Sequence, residues 1–489
     1  MGFRRKTVLF ATAALAFCVL ISPALADVAA LRQAVERVAD DGNRRGARVA
    51  VHVVAPASGR VVYSRLATEQ LIPASNEKLV TAAAALLLLG QDYKFTTRLC
   101  SQGAVQDGVL RGDLILRGGG DPTIGGRYDD EDAGAVFRAW AQALKARGIR
   151  HVTGGVVADD LFFDRAWYHP SWPPEQAWKW YFPPTSALSI NDNCVTITVK
   201  PGAAPGAGAL LALEPDVAPV DLLNACKTSS TRHAIWFERR AGSPTVKVGG
   251  FVKQNSAGYS HGVTVPNPPL YAASTLLKVL REEGIAVDGE AHLVTLEEAG
   301  QTRAAGTLCE RRTPLLPVLH TMMRRSHNHY AEQVVKTLGA ETSGAGSWQN
   351  GLSCAAALLE AVGFARDEFH LDDGSGLSRG NRLAPVALTS LLAHVHRSTS
   401  GATFKSLLAV PGQAGTLEHR LSEPPYAASI RAKTGYLDGV GALSGYATTR
   451  AGTEVAFSIL VNDSHNPPGT YSMRQTVDTI CRAIVDHAE

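Results

Sequence analysis

The chain has 489 residues, of which 45% are apolar and 19% charged, and a formal net charge of +3. The length exceeds what one ordinary core encloses, and the composition is that of a globular chain rather than a disordered or fibrous one. So small a charge on so long a chain excludes the electrostatic footprint of a nucleic-acid-binding protein.

The first element in chain order is a leader. Arg4-Arg5-Lys6 makes a basic start, residues 7–21 form a short apolar stretch, and Ala24-Leu25-Ala26 is a small-residue cleavage signal before Asp27. This pattern predicts a secretory signal peptide over residues 1–26 and an exported, periplasmic protein, with loose membrane association left open. Phe17 ahead of Cys18 is too bulky for a usual lipid-attachment site. No transmembrane segment is expected after cleavage, because the apolar run from Ala82 to Leu89 is too short to span a bilayer. Six cysteines follow the leader: Cys100, Cys194, Cys226, Cys309, Cys354 and Cys481. An even count in an exported chain permits disulfides, with fifteen pairings open; one to three bonds are expected, six buried thiols being the alternative.

Residues 27–97 begin with a helix-like segment. Two strand-like runs follow, Val49-Ala50-Val51-His52-Val53-Val54 and Arg60-Val61-Val62-Tyr63, with a hairpin turn at Pro56 to Gly59. Next comes Pro73-Ala74-Ser75-Asn76-Glu77-Lys78, leading into an Ala/Leu run of strong helix formers. Proline is tolerated where a helix begins, so Ser75 is expected in the first turn, with Lys78 on the same face three residues on. A serine needs an adjacent base to become a nucleophile. A lysine serves as that base when burial or a neighbouring cation, here Lys433, lowers its pKa. Backbone N–H groups at the helix start would face a developing oxyanion.

The long interval from Ser75 to Ser326 predicts an insertion over residues 98–293 with its own core, turn-rich and strand-like. Its expected strands include Asp113-Leu114-Ile115-Leu116-Arg117, Gly155-Val156-Val157-Ala158 and Val195-Thr196-Ile197-Thr198-Val199, and residues 201–215 read as a Pro/Gly/Ala loop. Gly118-Gly119-Gly120-Asp121-Pro122 lacks the Lys-Ser/Thr ending of a phosphate loop and reads as a turn. Four of the seven tryptophans lie in residues 167–184. Core packing or a lid over the main domain is the favoured reading of that stretch over sugar stacking.

Ser326-His327-Asn328 opens another helical segment. Ser326 is the candidate proton shuttle to a leaving amine, and Asn328 the candidate partner of a substrate amide and of Lys78. His320, His327 and His329 lack zinc-peptidase spacing, so neither a metal nor any other cofactor is expected. Lys433-Thr434-Gly435 lies among strand-like runs that continue to Val461. An edge strand there would bind an extended peptide by backbone pairing. Gly435 would admit the substrate backbone, Lys433 and Thr434 would hold a terminal carboxylate, and the Tyr436 N–H would be a second oxyanion donor.

Ser-x-x-Lys, Ser-x-Asn and Lys-Thr-Gly in this order mark serine enzymes that attack a D-alanyl-D-alanine terminus or a β-lactam. Further runs are more specific: Gly118-Gly119-Gly120-Asp121-Pro122-Thr123, Val157-Ala158-Asp159-Asp160, Ala187-Leu188-Ser189-Ile190-Asn191-Asp192-Asn193 and Asp373-Gly374-Ser375-Gly376-Leu377-Ser378-Arg379. With them the chain resembles, over nearly its whole mature length, the class C low-molecular-mass penicillin-binding proteins of the penicillin-binding protein 4 type. The resemblance implies an α/β (α+β) fold: a discontinuous β-lactamase/transpeptidase-like domain, residues 27–97 and 294–489, interrupted by two nested β-rich domains. It also implies a D-alanyl-D-alanine carboxypeptidase/endopeptidase acting on peptidoglycan stem peptides through an acyl-enzyme on Ser75, with β-lactams as inhibitors; the oligomeric state, a homodimer included, stays open. Arg379 is implied to bind the carboxylate of a diaminopimelate side chain, and Asp159, or Asp160 one register on, its amino group. Tyr436 departs from the small hydroxyl residue usual after Lys-Thr-Gly. A β-lactamase and a catalytically silent penicillin-binding scaffold remain as alternatives.

Overall fold

The computed structural model describes residues 23–488 apart from residues 45, 127–132, 218 and 464–471. The basic and apolar parts of the expected leader, residues 1–22, lie outside the described residues. Ala24-Leu25-Ala26 falls in the first turns of helix Pro23–Arg44.

The chain segments on either side of the insertion meet in one antiparallel sheet. Its strand order is Ile430–Leu437, Val440–Thr448, Glu454–Asp463, Ala47–Val54, Val61–Arg65. The two-residue period of a strand divides its side chains between two cores. Val49, Val51 and Val53 enter the core beneath helices Pro23–Arg44 and Met473–His487, while Ala50 and Val54 enter the core on the other face. That second core belongs to a helical layer containing Glu77–Ala84, Leu315–Arg324, Asn328–Ser343, Trp348–Ala361 and Pro385–Arg397. Glu77–Ala84 is buried on all sides, its apolar residues in the helical core and its polar residues Lys78 and Thr81 hydrogen-bonded to Asn328, Ser375 and Gly374. The hairpin expected at Pro56 to Gly59 is present, closed by Gly59 N–H to Ala55 O at 2.8 Å and Ala55 N–H to Arg60 O at 2.9 Å.

The insertion carries its own sheets. One has the order Ala291–Leu293, Val156–Asp159, Leu114–Arg117, Lys94–Ser101, Gly306–Pro314. Helices Ala133–Ala146 and Pro268–Glu282 contribute Phe137, Trp140, Leu276 and Leu280 to the core against it. Two three-stranded sheets spanning Cys194 to Thr264 face each other across a smaller core that includes Ile197, Val199, Cys226, Val248 and Phe237. Lys94–Ser101, at the start of the expected insertion of residues 98–293, pairs along its length with Gly306–Pro314, beyond its end. Within the expected loop 201–215, Leu210–Glu214 is a strand on Cys194–Lys200, its leucines finding a partner the local composition does not announce.

The expected disulfides are absent: the six cysteines among the described residues are free thiols, five buried and Cys354 half-buried. Cys100 and Cys309 lie on paired strands but face opposite sides of the sheet. Cys309 sits beside Leu99, and Cys100 with Ile115 and Val157, so their side chains diverge. Burial pushes the Cys309 and Cys481 thiols up, away from the reactive thiolate.

Candidate active site

Ser75 sits in a tight turn, Ala74–Asn76, that runs directly into helix Glu77–Ala84. The turn is held from three sides. Ala74 has a φ of 46°, a conformation a side chain resists. Gly376 packs so closely that a Cβ there would lie 1.9 Å from Ala74 O. Asn76 Nδ2 donates to Lys433 O at 3.1 Å, tying the turn to the Lys-Thr-Gly strand.

One helical turn on, the buried Lys78 ammonium reaches Ser75 Oγ at 3.1 Å, Asn328 Oδ1 at 2.7 Å and Ser375 O at 2.6 Å. Lys433, also buried, donates to Ser326 Oγ at 2.8 Å and to Thr434 O at 2.8 Å. Ser326 is held at a φ of 58° just before helix Asn328–Ser343. Asn328, the first residue of that helix, turns its Nδ2 to Tyr181 O at 2.9 Å, so the inserted body helps to orient it. The structure thus gathers Ser75, Lys78, Ser326, Asn328 and Lys433 into one constellation of two serine–lysine pairs.

Burial lowers the Lys78 pKa to about 8, against the opposing pull of Glu332, Asp373 and Glu77. Lys433 lies well below the usual lysine range, through burial first and the Lys78 charge second. Of the two expected causes, burial or the Lys433 cation, burial is the one that lowers Lys78, while the Lys78 charge adds to the lowering of Lys433. Beneath Lys78 lie three buried carboxyl groups. Glu332 accepts from Trp348 Nε1 at 2.8 Å and from Gly374 N–H at 3.1 Å; burial and then Asp373 push it up to about 7. Glu77 is raised well above the carboxylate range by burial, then by Asp373 and Glu332. Asp373 accepts from Trp172 Nε1 at 2.9 Å, from Asn381 Nδ2 at 2.8 Å and from the backbone N–H of Gly376 and Ser378.

Thr434, Gly435 and Tyr436 follow along the strand. Gly435 is needed for a different neighbour than a substrate: a Cβ there would lie 2.7 Å from Pro73 O and 2.9 Å from Asn76 Nδ2, inside the nucleophile turn. Tyr436 is 54% exposed, and the Arg474 guanidinium lies 4.5 Å from the centre of its ring. Arg379 is exposed at the rim and donates to Asp438 O.

Asp159 is not brought to this group. Its carboxylate accepts from Arg117 Nε at 2.9 Å and lines a cavity of about 380 Å³ with Tyr93, Lys94, Arg303 and Glu341. Glu341 stands at the far end of the helix that Asn328 begins, about 20 Å away at 1.5 Å per residue. Asp160 is paired with Arg165 at 2.7 Å. His327 is packed against Tyr330, with its Nε2 3.4 Å from Asp192 Oδ1. Burial lowers His329 to about 3.

Sequence reasoning gave no role in the site to Ser375 and Asp373, seen only as part of a motif, nor to Glu332, Trp172 and Tyr181. Glu332 had a signal, since it stands four residues after Asn328 and therefore on the same helix face. The others reach the site across long stretches of chain.

The family described as D-Ala-D-Ala carboxypeptidase 3 (S13) matches residues 31–483. A D-alanyl-D-alanine carboxypeptidase of Actinomadura sp. (strain R39) is 34% identical over 496 residues, covering 97% of this chain and 90% of that protein. The D-alanyl-D-alanine carboxypeptidase DacB of Haemophilus influenzae is 28% identical over 398 residues, 80% of each chain. The crystal structure of penicillin binding protein 4 (dacB) from Haemophilus influenzae superimposes with a TM-score of 0.79 at 24% identity, covering 91% of this chain and 98% of that one. That fold is also known in complex with a β-lactam, at a TM-score of 0.75. With a family match over almost the whole described chain and a relative above 30% identity along its length, the chain belongs to the D-Ala-D-Ala carboxypeptidase 3 (S13) family.

Proposed function

We propose that the chain is an exported, periplasmic serine peptidase acting on peptidoglycan stem peptides. It removes a terminal D-alanine, cleaves D-alanyl-diaminopimelate cross-links, or both, and β-lactams inhibit it. The observation that carries the reading is the Lys78 nitrogen 3.1 Å from Ser75 Oγ, beside a second pair formed by Lys433 and Ser326. Ser75 Oγ attacks the carbonyl carbon of the penultimate D-alanine as its proton passes to Lys78. The oxyanion forms toward backbone N–H groups, for which Ser75 and Tyr436 are the candidates. Collapse breaks the amide bond, and the departing amine takes a proton through Ser326. Water then cleaves the ester and restores Ser75. Lys433 and Thr434 hold the terminal carboxylate, which a buried cation beside a hydroxyl suits. Arg379, at the rim, remains the residue for a side-chain carboxylate. Asp159, engaged with Arg117, leaves the amine partner unassigned.

The test is the intact mass of the mature protein after brief exposure to benzylpenicillin, beside Ser75→Ala. A stoichiometric adduct lost in the variant is expected, followed by release of D-alanine from muropeptides. A persistent adduct in Ser75→Ala would refute the assignment. An adduct without peptide turnover would favour a penicillin-binding scaffold, the second reading, to which the Tyr436 ring and its Arg474 partner at the carboxylate end of the site lend weight.

A further inference from the structure

The smaller inserted body presents a sheet face that the catalytic chemistry does not use. Strands Asp221–Ser229, Thr245–Lys253 and Ala234–Glu238 form a sheet with Thr245–Lys253 in the middle. Its inner face supplies Val246, Val248, Val252 and Phe237 to the core. The pairing register sets the outer face as three rows. Glu238, Lys247 and Leu223 make one row; Trp236, Gly249 and Ala225 the next; Ala234, Phe251 and Lys227 the third.

The middle row is the unusual one. Trp236 is 44% exposed, whereas its neighbour Phe237 is buried. Its indole lies flat on the strand beside it: a Cβ at Gly249 would come within 2.1 Å of the ring, and one at Gly250 within 3.3 Å. Glycine in the interior of a central strand weakens the strand and marks a close approach; here what it admits is an aromatic plate open to solvent. Gly249 is buried beneath the plate, and beyond it the next position in the row is the exposed Ala225, too small to obstruct a flat ligand. Cations flank it. Lys247 Nζ is 5.4 Å from the Trp236 ring centre, and the Arg232 guanidinium is 3.7 Å from that of Phe251. Lys227 is exposed in the third row, and Leu223 is 53% exposed in the first. Glu238 is the carboxylate among the nine positions.

A flat exposed indole with an apolar floor suits the C–H face of a sugar ring, and cations on both sides suit carboxylates attached to it. We propose that this face binds the glycan strand of peptidoglycan, with Trp236 stacked on a sugar and Lys227, Lys247 and Arg232 facing the carboxylates of its stem peptides. The inference rests on the cell-wall substrate proposed above and adds a place, away from Ser75, where the polymer is held while its peptides are processed. Soluble stem peptides lack the glycan and do not use it.

The test uses the full mature chain with its active site closed by benzylpenicillin, or Ser75→Ala should acylation fail, so that this measurement does not depend on turnover. Co-sedimentation with purified, insoluble peptidoglycan is compared for wild type, Trp236→Ala, Trp236→Phe and the double variant Lys227→Gln/Lys247→Gln. The expected result is about tenfold weaker binding for Trp236→Ala, partial recovery in Trp236→Phe, and loss of the salt-sensitive part in the double variant. Benzylpenicillin acylation and hydrolysis of a soluble tripeptide ending in D-alanyl-D-alanine are expected to be unchanged in all three. Undiminished sedimentation of the variants would overturn the proposal. So would binding that follows anionic phospholipid vesicles and not peptidoglycan, which would make the face a membrane contact. Failure of wild-type acylation would sink the catalytic reading by itself, whatever the sedimentation shows.

Discussion

At the scale of single residues, Lys78 is the base of the proposed chemistry. Its amine accepts a proton only in the neutral form, and burial brings its pKa down to about 8 against the pull of three carboxyl groups. The neutral form grows as pH rises, so acylation by a β-lactam should climb about tenfold per unit below pH 8 and level off above it. Removing a negative neighbour should lower the amine pKa further. Glu332→Gln keeps an oxygen to accept from Trp348 and Gly374, and should shift the profile about one unit toward acid. A stopped-flow pH series on both proteins checks this, and an alkaline shift in the variant would contradict it. Ser75, Lys78 and Lys433 were legible in the sequence because their chemistry is written in short spacings. Ser375 and Asp373 were visible as part of a motif but not as neighbours of Lys78, because their contact with it is made in three dimensions.

At the scale of elements, Ser75, the proposed nucleophile, is placed by a turn that a distant glycine makes room for. Gly376 has a φ of 80°, and its close approach to Ala74 leaves no space for a methyl group. Gly376→Ala should cost about 1–3 kcal/mol of stability and displace the turn, lowering the acylation rate about a hundredfold. Melting and acylation measured together check it; a stable variant with wild-type rate would show that the turn does not depend on this contact. Strands that are short, nearly continuous apolar runs, such as Ala47–Val54 and Leu114–Arg117, could be read locally. Helices Ala133–Ala146 and Pro268–Glu282 were hidden by the turn-rich sequence around them. The thiols were misjudged because cysteine count reports compartment, whereas pairing needs side chains that point at each other.

At the scale of the molecule, the inserted body is part of the catalytic one. Trp172 fills a core with Phe182, Val335 and Trp348, and its N–H ends on Asp373. The buried Lys336 pairs with Asp164 at 2.6 Å and lies 3.9 Å from the Trp348 ring centre. A chain in which residues 94–314 are replaced by a short linker should therefore form no benzylpenicillin adduct, and normal acylation of that chain would refute the dependence. Acid should act on the whole fold. His52 is buried with Nδ1 2.6 Å from Thr389 Oγ1, and burial lowers its pKa to about 4. The unfolded chain binds the proton first, so this contribution to stability is intact above about pH 6.5 and is lost as pH falls toward 4. Glu332, raised to about 7, works in the opposite sense as pH falls. Relative to His52→Gln, the wild type should lose about 2 kcal/mol between pH 6.5 and 4, after allowance for water in the groove beside the ring, as measured by urea titration.

The pairing of Val54 with Ala456, and of Ala47 with Asp463, joins the first strand to the last. It also governs when the enzyme can exist. Ser75 is synthesised early, yet it lacks Lys433 and the strand to its own N-terminal side lacks its neighbour until the final segment has been made. A chain stopped before that point lacks Lys433 and the partner strand, so the two serine–lysine pairs come together only in a finished molecule.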